Sequence, residues 1–489
     1  MRAQVGEISA QLAAGLHCLW LLPDQLVDAG LAEDLYRAVL NTVPDRLDVQ
    51  PPVVLTVPAP RAGAAGSERA GAVPWEDDET YLEEGLPELD FDDGFDIGWS
   101  GTGPVRSARA GVREQAVPGV LERLGKELAV APAEVVARLT NPVHRWRPVI
   151  GLRAWAEPDD PGQDALGVAS RDGGRGGALQ RLFHTLSAAA KEAGLPPQGR
   201  PRLFVVARLR DVPGTLTDEL DRDIATTAVR WWWGTIGRLD TATVVSSTRS
   251  HGPQGHVGQR IRAAVRDEVV TEIAGFDLVL AERLAVTWDG SVGRLDSVLR
   301  SCLDAGQVAR GDVLPDTALE AGTRRRPGSR LRPAWSRGGL QSWEGRLRPH
   351  PTVWYADSGT GVPPELDLLV GQAQQRVVSP WIEDTRGQLA RLSARHATRP
   401  LAALVEAHAQ RPPADTRTHP ERAFGQLEVG DLLSACYAGG LILPGEELRL
   451  LKVLAKARNI LAHRGALRDA TLQALCEELT FAHRRWAKL

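Results

Sequence analysis

A chain of 489 residues, 43% hydrophobic and 25% charged, has the composition of a globular protein with room for two or three domains. Its net charge of -4 excludes a surface coated throughout for nucleic acid, so any such site must be a local patch. The 4 cysteines (Cys18, Cys302, Cys436, Cys476) include no Cys-x-x-Cys pair, and neither a leader nor an apolar run of membrane-spanning length stands out. The expectation is a cytoplasmic protein with no metal, no cofactor and no membrane partner.

Residues 1–60 read as an α/β opening. Leu16 to Leu22 is a short apolar strand, Leu26 to Leu40 a helix and Pro52 to Val57 a second strand, a spacing that suggests a βαβ unit. A phosphate-binding nucleotide fold carries a glycine-rich loop ending in Lys-Ser/Thr after that first strand. Here the place holds Leu22-Pro23-Asp24-Gln25-Leu26. Residues 61–112 break the pattern: 61–71 is rich in alanine and glycine, and 76–96 is strongly acidic, as in a solvated insertion. An acidic flap over a basic site is the other reading. Apolar runs at 148–154, 202–209 and 241–247 read as further strands, and 117–139, 178–193, 218–233 and 262–284 as helices. The glycine-rich run 171–177 lacks Lys-Ser/Thr and reads as a turn. Asp211, just past the 202–209 strand, either handles magnesium or caps the turn before Pro213. Trp231, Trp232 and Trp233 read as packing residues.

Taken together, RLFVVARLRD (202–211), RWWWGTIGRLDTATVVSS (230–247) and the run that ends in TWDGS (287–291) resemble the STAND-like NTPase modules of bacterial conflict and anti-phage systems, over residues 10–300. The missing lysine loop implies that this copy has lost nucleotide hydrolysis and senses or scaffolds instead.

Residues 311–360 read as a linker rich in arginine, proline and glycine. Arg324, Arg325, Arg326, Arg330, Arg332, Arg337, Arg346 and Arg348 are interleaved with Trp335 and Trp343. Arginine beside aromatics can hold phosphates and stack bases. A basic linker that pairs with acidic surfaces, such as 76–96, is the simpler reading. Both 61–112 and 318–350 are expected to be mobile.

From Pro364 the pattern is helical. A long segment, 365–396, contains Pro380, which should kink or break it. Segments 401–408, 427–437 and 470–486 follow the same period. Between the last two lies Glu447 to Gly465 (ELRLLKVLAKARNILAHRG), opened by Pro444 and acids and closed by Gly465. Leu450, Val453, Leu454, Ala457, Ile460 and Leu461 form one apolar stripe. Arg458, Asn459 and His463 fall off that stripe, with Asn459 and His463 as i,i+4 neighbours. Arginine can hold a phosphate bidentately and imidazole can move a proton near neutral pH, so the trio suits phosphodiester chemistry without a metal.

The Arg-x4-His spacing in RNILAH resembles the Arg-x4–6-His motif of the HEPN superfamily. That resemblance implies paired helical bundles whose facing motifs cut RNA without metal. It also implies an acidic residue on the first long helix in contact with the motif, for which Glu383 is the candidate. His483, in the last helix, reads as exposed.

The resulting expectation is an α/β N-terminal region with a mostly parallel sheet (1–310, with the insertion at 61–112), a linker (311–360) and an all-α HEPN-like bundle (361–489). Its function would be a metal-independent endoribonuclease of a bacterial defence system, regulated by the α/β module. Arg458, Asn459 and His463 would be catalytic, RNA and a second copy of the chain its partners, and other defence-system proteins its companions. The alternative is a non-catalytic HEPN-like interaction module or a STAND-like sensor scaffold.

Overall fold

The computed structural model describes residues 2–52, 118–157, 176–248, 255–303, 325–358 and 361–487. Residues 1–51 and 119–489 form one unit. Its first part is built on β1 (His17–Leu21), flanked in sequence by α1 (Arg2–Ala13), α2 (Asp24–Asp28) and α3 (Leu31–Leu40). Then come β2 (Arg46–Asp48), α4 (Val120–Leu128), α5 (Val135–Thr140), β3 (Val149–Arg153), α6 (Gly177–Glu192), β4 (Arg202–Ala207), α7 (Leu216–Arg222) and β5 (Thr227–Trp231). The strands form one sheet in the order β2-β3-β4-β1-β5, all parallel. Strands buried on both faces need near-continuous apolar runs. HCLWL and RLFVVA supply them, and Leu19 sits between Val205 and Val229.

The expected strands at 16–22, 148–154 and 202–209 are in this sheet, and all of the expected strand 52–57 after Pro52 lies outside the described residues, as do the acidic insertion and most of the glycine run 171–177. The expected strand at 241–247 is instead part of a helix, α8 (Arg238–Ser247). Asp240 accepts from the Gly237 amide at 2.9 Å, a capping contact that starts a helix and outweighs the β-branched residues behind it. The expected helix over 218–233 is likewise two elements, α7 and the edge strand β5. Edge strand β2 is short and polar, which hid it.

The second part begins with α8 and continues with α9 (Val257–Ala274), α10 (Leu278–Thr287) and α11 (Val292–Cys302). These helices share one apolar core with the C-terminal helices, so α8, α9, α10 and α11 join the helical layer and not the sheet. Residues 325–358 are folded, in contrast to the mobile linker expected. They form α12 (Arg332–Ser336), the antiparallel hairpin β6 (Leu340–Trp343) and β7 (Arg346–Pro349), and α13 (Pro351–Ser358). The aromatics explain it: Trp335 is fully buried in the sheet's core and donates to the Trp232 carbonyl at 3.1 Å. Three of the arginines, Arg326, Arg332 and Arg348, are engaged within the fold. Arg332 pairs with Asp218 at 2.6 Å, Arg326 with Asp221, and Arg348 lies against Trp343 and Trp354. The tryptophans 231–233 are buried, as packing residues should be.

The remaining helices are α14 (Pro364–Ser393), α15 (Leu401–His408), α16 (Pro420–Phe424), α17 (Val429–Tyr437), α18 (Gly445–Ala462) and α19 (Asp469–Trp486). α14 runs through Pro380 without a break. α9 is the hub, packed on α8, α10, α14 and α19. Among the described residues no helix is long and apolar enough to cross a membrane.

A buried histidine ties the hairpin to α10. Asp277 caps α10 by accepting from the Val279 and Leu280 amides, both at 2.9 Å, and meets the His350 Nε2 at 3.1 Å. The Thr352 hydroxyl lies 2.9 Å from the other ring nitrogen. Burial pushes the Asp277 carboxyl up, but His350 and the two amides outweigh it and hold the carboxyl below its usual range. A carboxyl lowered in the folded state contributes stability that is fully present above its unfolded pKa of about 3.9 and is lost as pH falls through the folded value. Asp277→Asn should cost about 1–3 kcal/mol at pH 7 and flatten the acid limb of a urea-denaturation series taken from pH 7 to pH 3.

Candidate active site

α18 opens behind Pro444 with Glu446 and Glu447 in its first turn, and both acids pair with Arg485 of α19, Glu447 at 2.6 Å. Leu450, Leu451, Leu454, Ala457 and Leu461 are buried; Val453 and Ile460 are half-buried. At about 100° per residue, Ala457 and Leu461 mark the centre of the buried face, Arg458 lies at its flank, and Asn459 and His463 lie on the opposite side. Exposure follows that wheel. The Arg458 side chain is 42% exposed, while Asn459, Ala462 and His463 are exposed.

The helix ends in a double-bonded cap. The Gly465 amide donates to the Ile460 carbonyl at 2.9 Å and the Arg464 amide to Leu461 at 3.0 Å, with Arg464 left-handed at φ 59. Such a cap favours glycine at the left-handed position. Here Gly465 stands one residue later and Arg464 takes the strained one. His463 is therefore the last helical cap residue, with its amide on the Asn459 carbonyl at 3.2 Å. Beyond it, α14 fixes the chain: Gln374, fully buried, donates to the Leu467 carbonyl at 2.9 Å and accepts from its amide at 2.6 Å.

The acid that meets Arg458 is Glu428, at 2.9 Å, and not Glu383. Glu428 is the cap residue of α17. Glu383 pairs with Arg386 at 2.8 Å, and Arg386 donates to the Gly425 and Leu427 carbonyls at 2.9 and 3.0 Å. Glu383 thus reaches the motif only by steadying the segment that leads into Glu428. Its separation from Arg458 reflects the wheel: Arg458 flanks the buried face on the α17 side. Glu428 could have been found from Asp431, three residues on, whose carboxylate accepts from the Glu428 amide at 3.2 Å. His483 is half-buried between Trp381 and Trp486, where burial lowers its pKa, and not exposed as expected.

Chemically the trio offers a guanidinium with one nitrogen on a carboxylate and, with no side-chain partner among the described residues, an exposed amide and an exposed imidazole. Five residues of helix separate Arg458 from His463 by about 140° around the axis. One phosphate on one copy would not easily span both. Among the described residues no group of three or more His, Cys, Asp or Glu side chains could hold a metal.

Parallel sheets bind ligands beyond the carboxyl ends of their strands, where the chain order reverses. Here that place, after β1 and β4, is filled by charge pairs. Arg208 grips Asp211 at 2.9 Å, and Asp211 also accepts from the Arg208 amide at 2.8 Å, which is the capping role and not a metal-facing one. Asp24 puts a carboxylate at the start of α2, where a phosphate would have to sit, and burial raises its pKa against the pull of Arg210 and Arg208. No family model matches the chain, no curated protein matches it, and no solved structure matches it.

Two outcomes follow from these placements. Arg464→Gly should raise stability by about 1 kcal/mol, read from chemical denaturation, by relieving the left-handed residue. Purified protein should show no ATP turnover, and Asp211→Asn should lower the melting temperature without changing that baseline; robust turnover that this substitution abolishes would overturn the capping role.

Proposed function

We propose that the C-terminal helices form a metal-independent, HEPN-type endoribonuclease of a bacterial defence system, working in the cytoplasm and regulated by the N-terminal α/β region, which acts as a STAND-like sensor without hydrolysis. The observation that carries this reading is the solvent-facing set Arg458, Asn459 and His463 at the capped end of α18, which self-packing does not explain. His463 would take the proton from an attacking 2′-hydroxyl or return one to the leaving oxygen. Arg458 would stabilise the charged phosphorus through the guanidinium nitrogens that Glu428 leaves free, and Asn459 would orient the imidazole or the phosphate. In-line cleavage needs a base and an acid on opposite sides of the phosphorus. A single imidazole cannot serve both, and the 140° spread of the trio points the same way, so two copies pair through this face.

The Arg458–Glu428 pair favours a second reading, in which the same face is a non-catalytic interaction module and the guanidinium is already satisfied. The two separate in one experiment. His463→Ala should reduce RNA cleavage about 10²–10⁴-fold and Arg458→Ala about 10²–10³-fold, in EDTA, with cyclic phosphate or 3′-phosphate ends. Both variants should melt with the wild type, because neither side chain is in the core. Equal cleavage by wild type and both variants sinks the enzyme reading.

A further inference from the structure

A cavity of about 240 Å³ lies between the start of α9 and one face of α19, away from the Arg458 surface. On α19 its wall is one stripe, Glu477, Phe481 and Arg484, at i, i+4 and i+7. On α9 it is lined by His256 and Arg262. We propose that this cavity binds a nucleoside monophosphate, with the phosphate between Arg262 and Arg484 and the base on Phe481.

Four observations carry it. Arg262 and Arg484 are exposed and, among the described residues, neither is in an ion pair, whereas their neighbour Arg485 is spent on Glu446 and Glu447. The charge balance leaves an excess of one positive charge over Glu477 before His256 is counted, which suits a phosphate monoester of about -1.5 to -2. Phe481 is 50% exposed, with Arg485 stacked 5.6 Å from its ring centre, so its uncovered part is free to carry a flat ring. Glu477 accepts from Gln473 at 2.9 Å through one oxygen and keeps the other for a sugar hydroxyl.

The opening amides of α9 are not the anion holder. The Gly258 amide donates to the Thr480 hydroxyl at 2.8 Å, and that hydroxyl also lies 3.3 Å from His256 Nδ1. Recognition falls to side chains. The floor is neutral: burial raises the Cys476 thiol to about 11 even with Arg262 pulling it down. The volume is below the roughly 300–1,000 Å³ of pockets that enclose a drug-sized ligand. Its size suits a phosphate and a sugar, with the base at the mouth.

The test is isothermal titration of the full chain with AMP, GMP, CMP and UMP, with adenosine and inorganic phosphate as controls. At least one monophosphate should bind, more tightly than adenosine. The Arg262→Ala/Arg484→Ala double variant should weaken it at least about tenfold, and Phe481→Ala should weaken the nucleotide while leaving inorganic phosphate unchanged. Both variants should melt with the wild type, since all three side chains are exposed. No heat with any monophosphate at about 10 mM, or affinity indifferent to the double variant, overturns the site. RNA cleavage is not part of the readout, so the outcome does not depend on the catalytic reading.

Discussion

One buried carboxylate organises the contact between the hairpin and the helices. Glu272 of α9 is almost completely enclosed, and an enclosed carboxylate must be met by cations. Arg238, at the start of α8, reaches it at 2.7 Å; Arg376 of α14 reaches it too, and also Glu268 at 3.2 Å. Arg348 of the hairpin donates to the Glu272 carbonyl, and Glu344 at the hairpin's tip accepts from the Arg238 amide at 2.7 Å. Replacing such a set with apolar residues is often neutral, while removing one member costs about 3–5 kcal/mol. Its effect is therefore on register more than on net stability. The charges let α8, α14 and the hairpin meet α9 in one arrangement.

That arrangement explains which parts of the fold could be read from the sequence. β1, β3 and β4 are the middle strands, fully or almost fully buried, and each is a mostly apolar run with its polar residue at one end. The edges were harder. β2 is Arg-Leu-Asp, with nothing apolar to repeat, and β5 sits inside a tryptophan-rich stretch that also fits a helix. TATVVSS has the residues of a strand, yet Thr241 and Val245, four apart, are the ones buried. Helical burial there depends on the neighbouring α9 and α10, and a local pattern does not carry that information. The arginine-rich stretch misled for a related reason: charge content says nothing about whether Asp218, Asp221 and Glu272 wait on other elements.

The candidate site divides the same way. The amphipathic stripe of α18 and the exposure of Asn459 and His463 follow from spacing alone. The partner of Arg458 does not, because Glu428 is 30 residues away and comes into reach only through the packing of α17 on α18. The displaced cap was half legible. Gly465 announced the end of the helix, but the left-handed turn fell on Arg464.

That cap has an entropic consequence. The chain reverses hand at Arg464, and by Leu467 it is already clasped on both sides of the peptide by Gln374. Only three residues separate His463 from Leu467, so the backbone under the imidazole has almost no freedom left to lose. Ordering this segment around a ligand would draw only on side-chain rotamers, about 0.5–1.5 kcal/mol for each one immobilised, and not on the larger cost of closing a loop. Whatever touches this face therefore meets a stiff stub with a swivelling tip, and its affinity reports the contacts themselves.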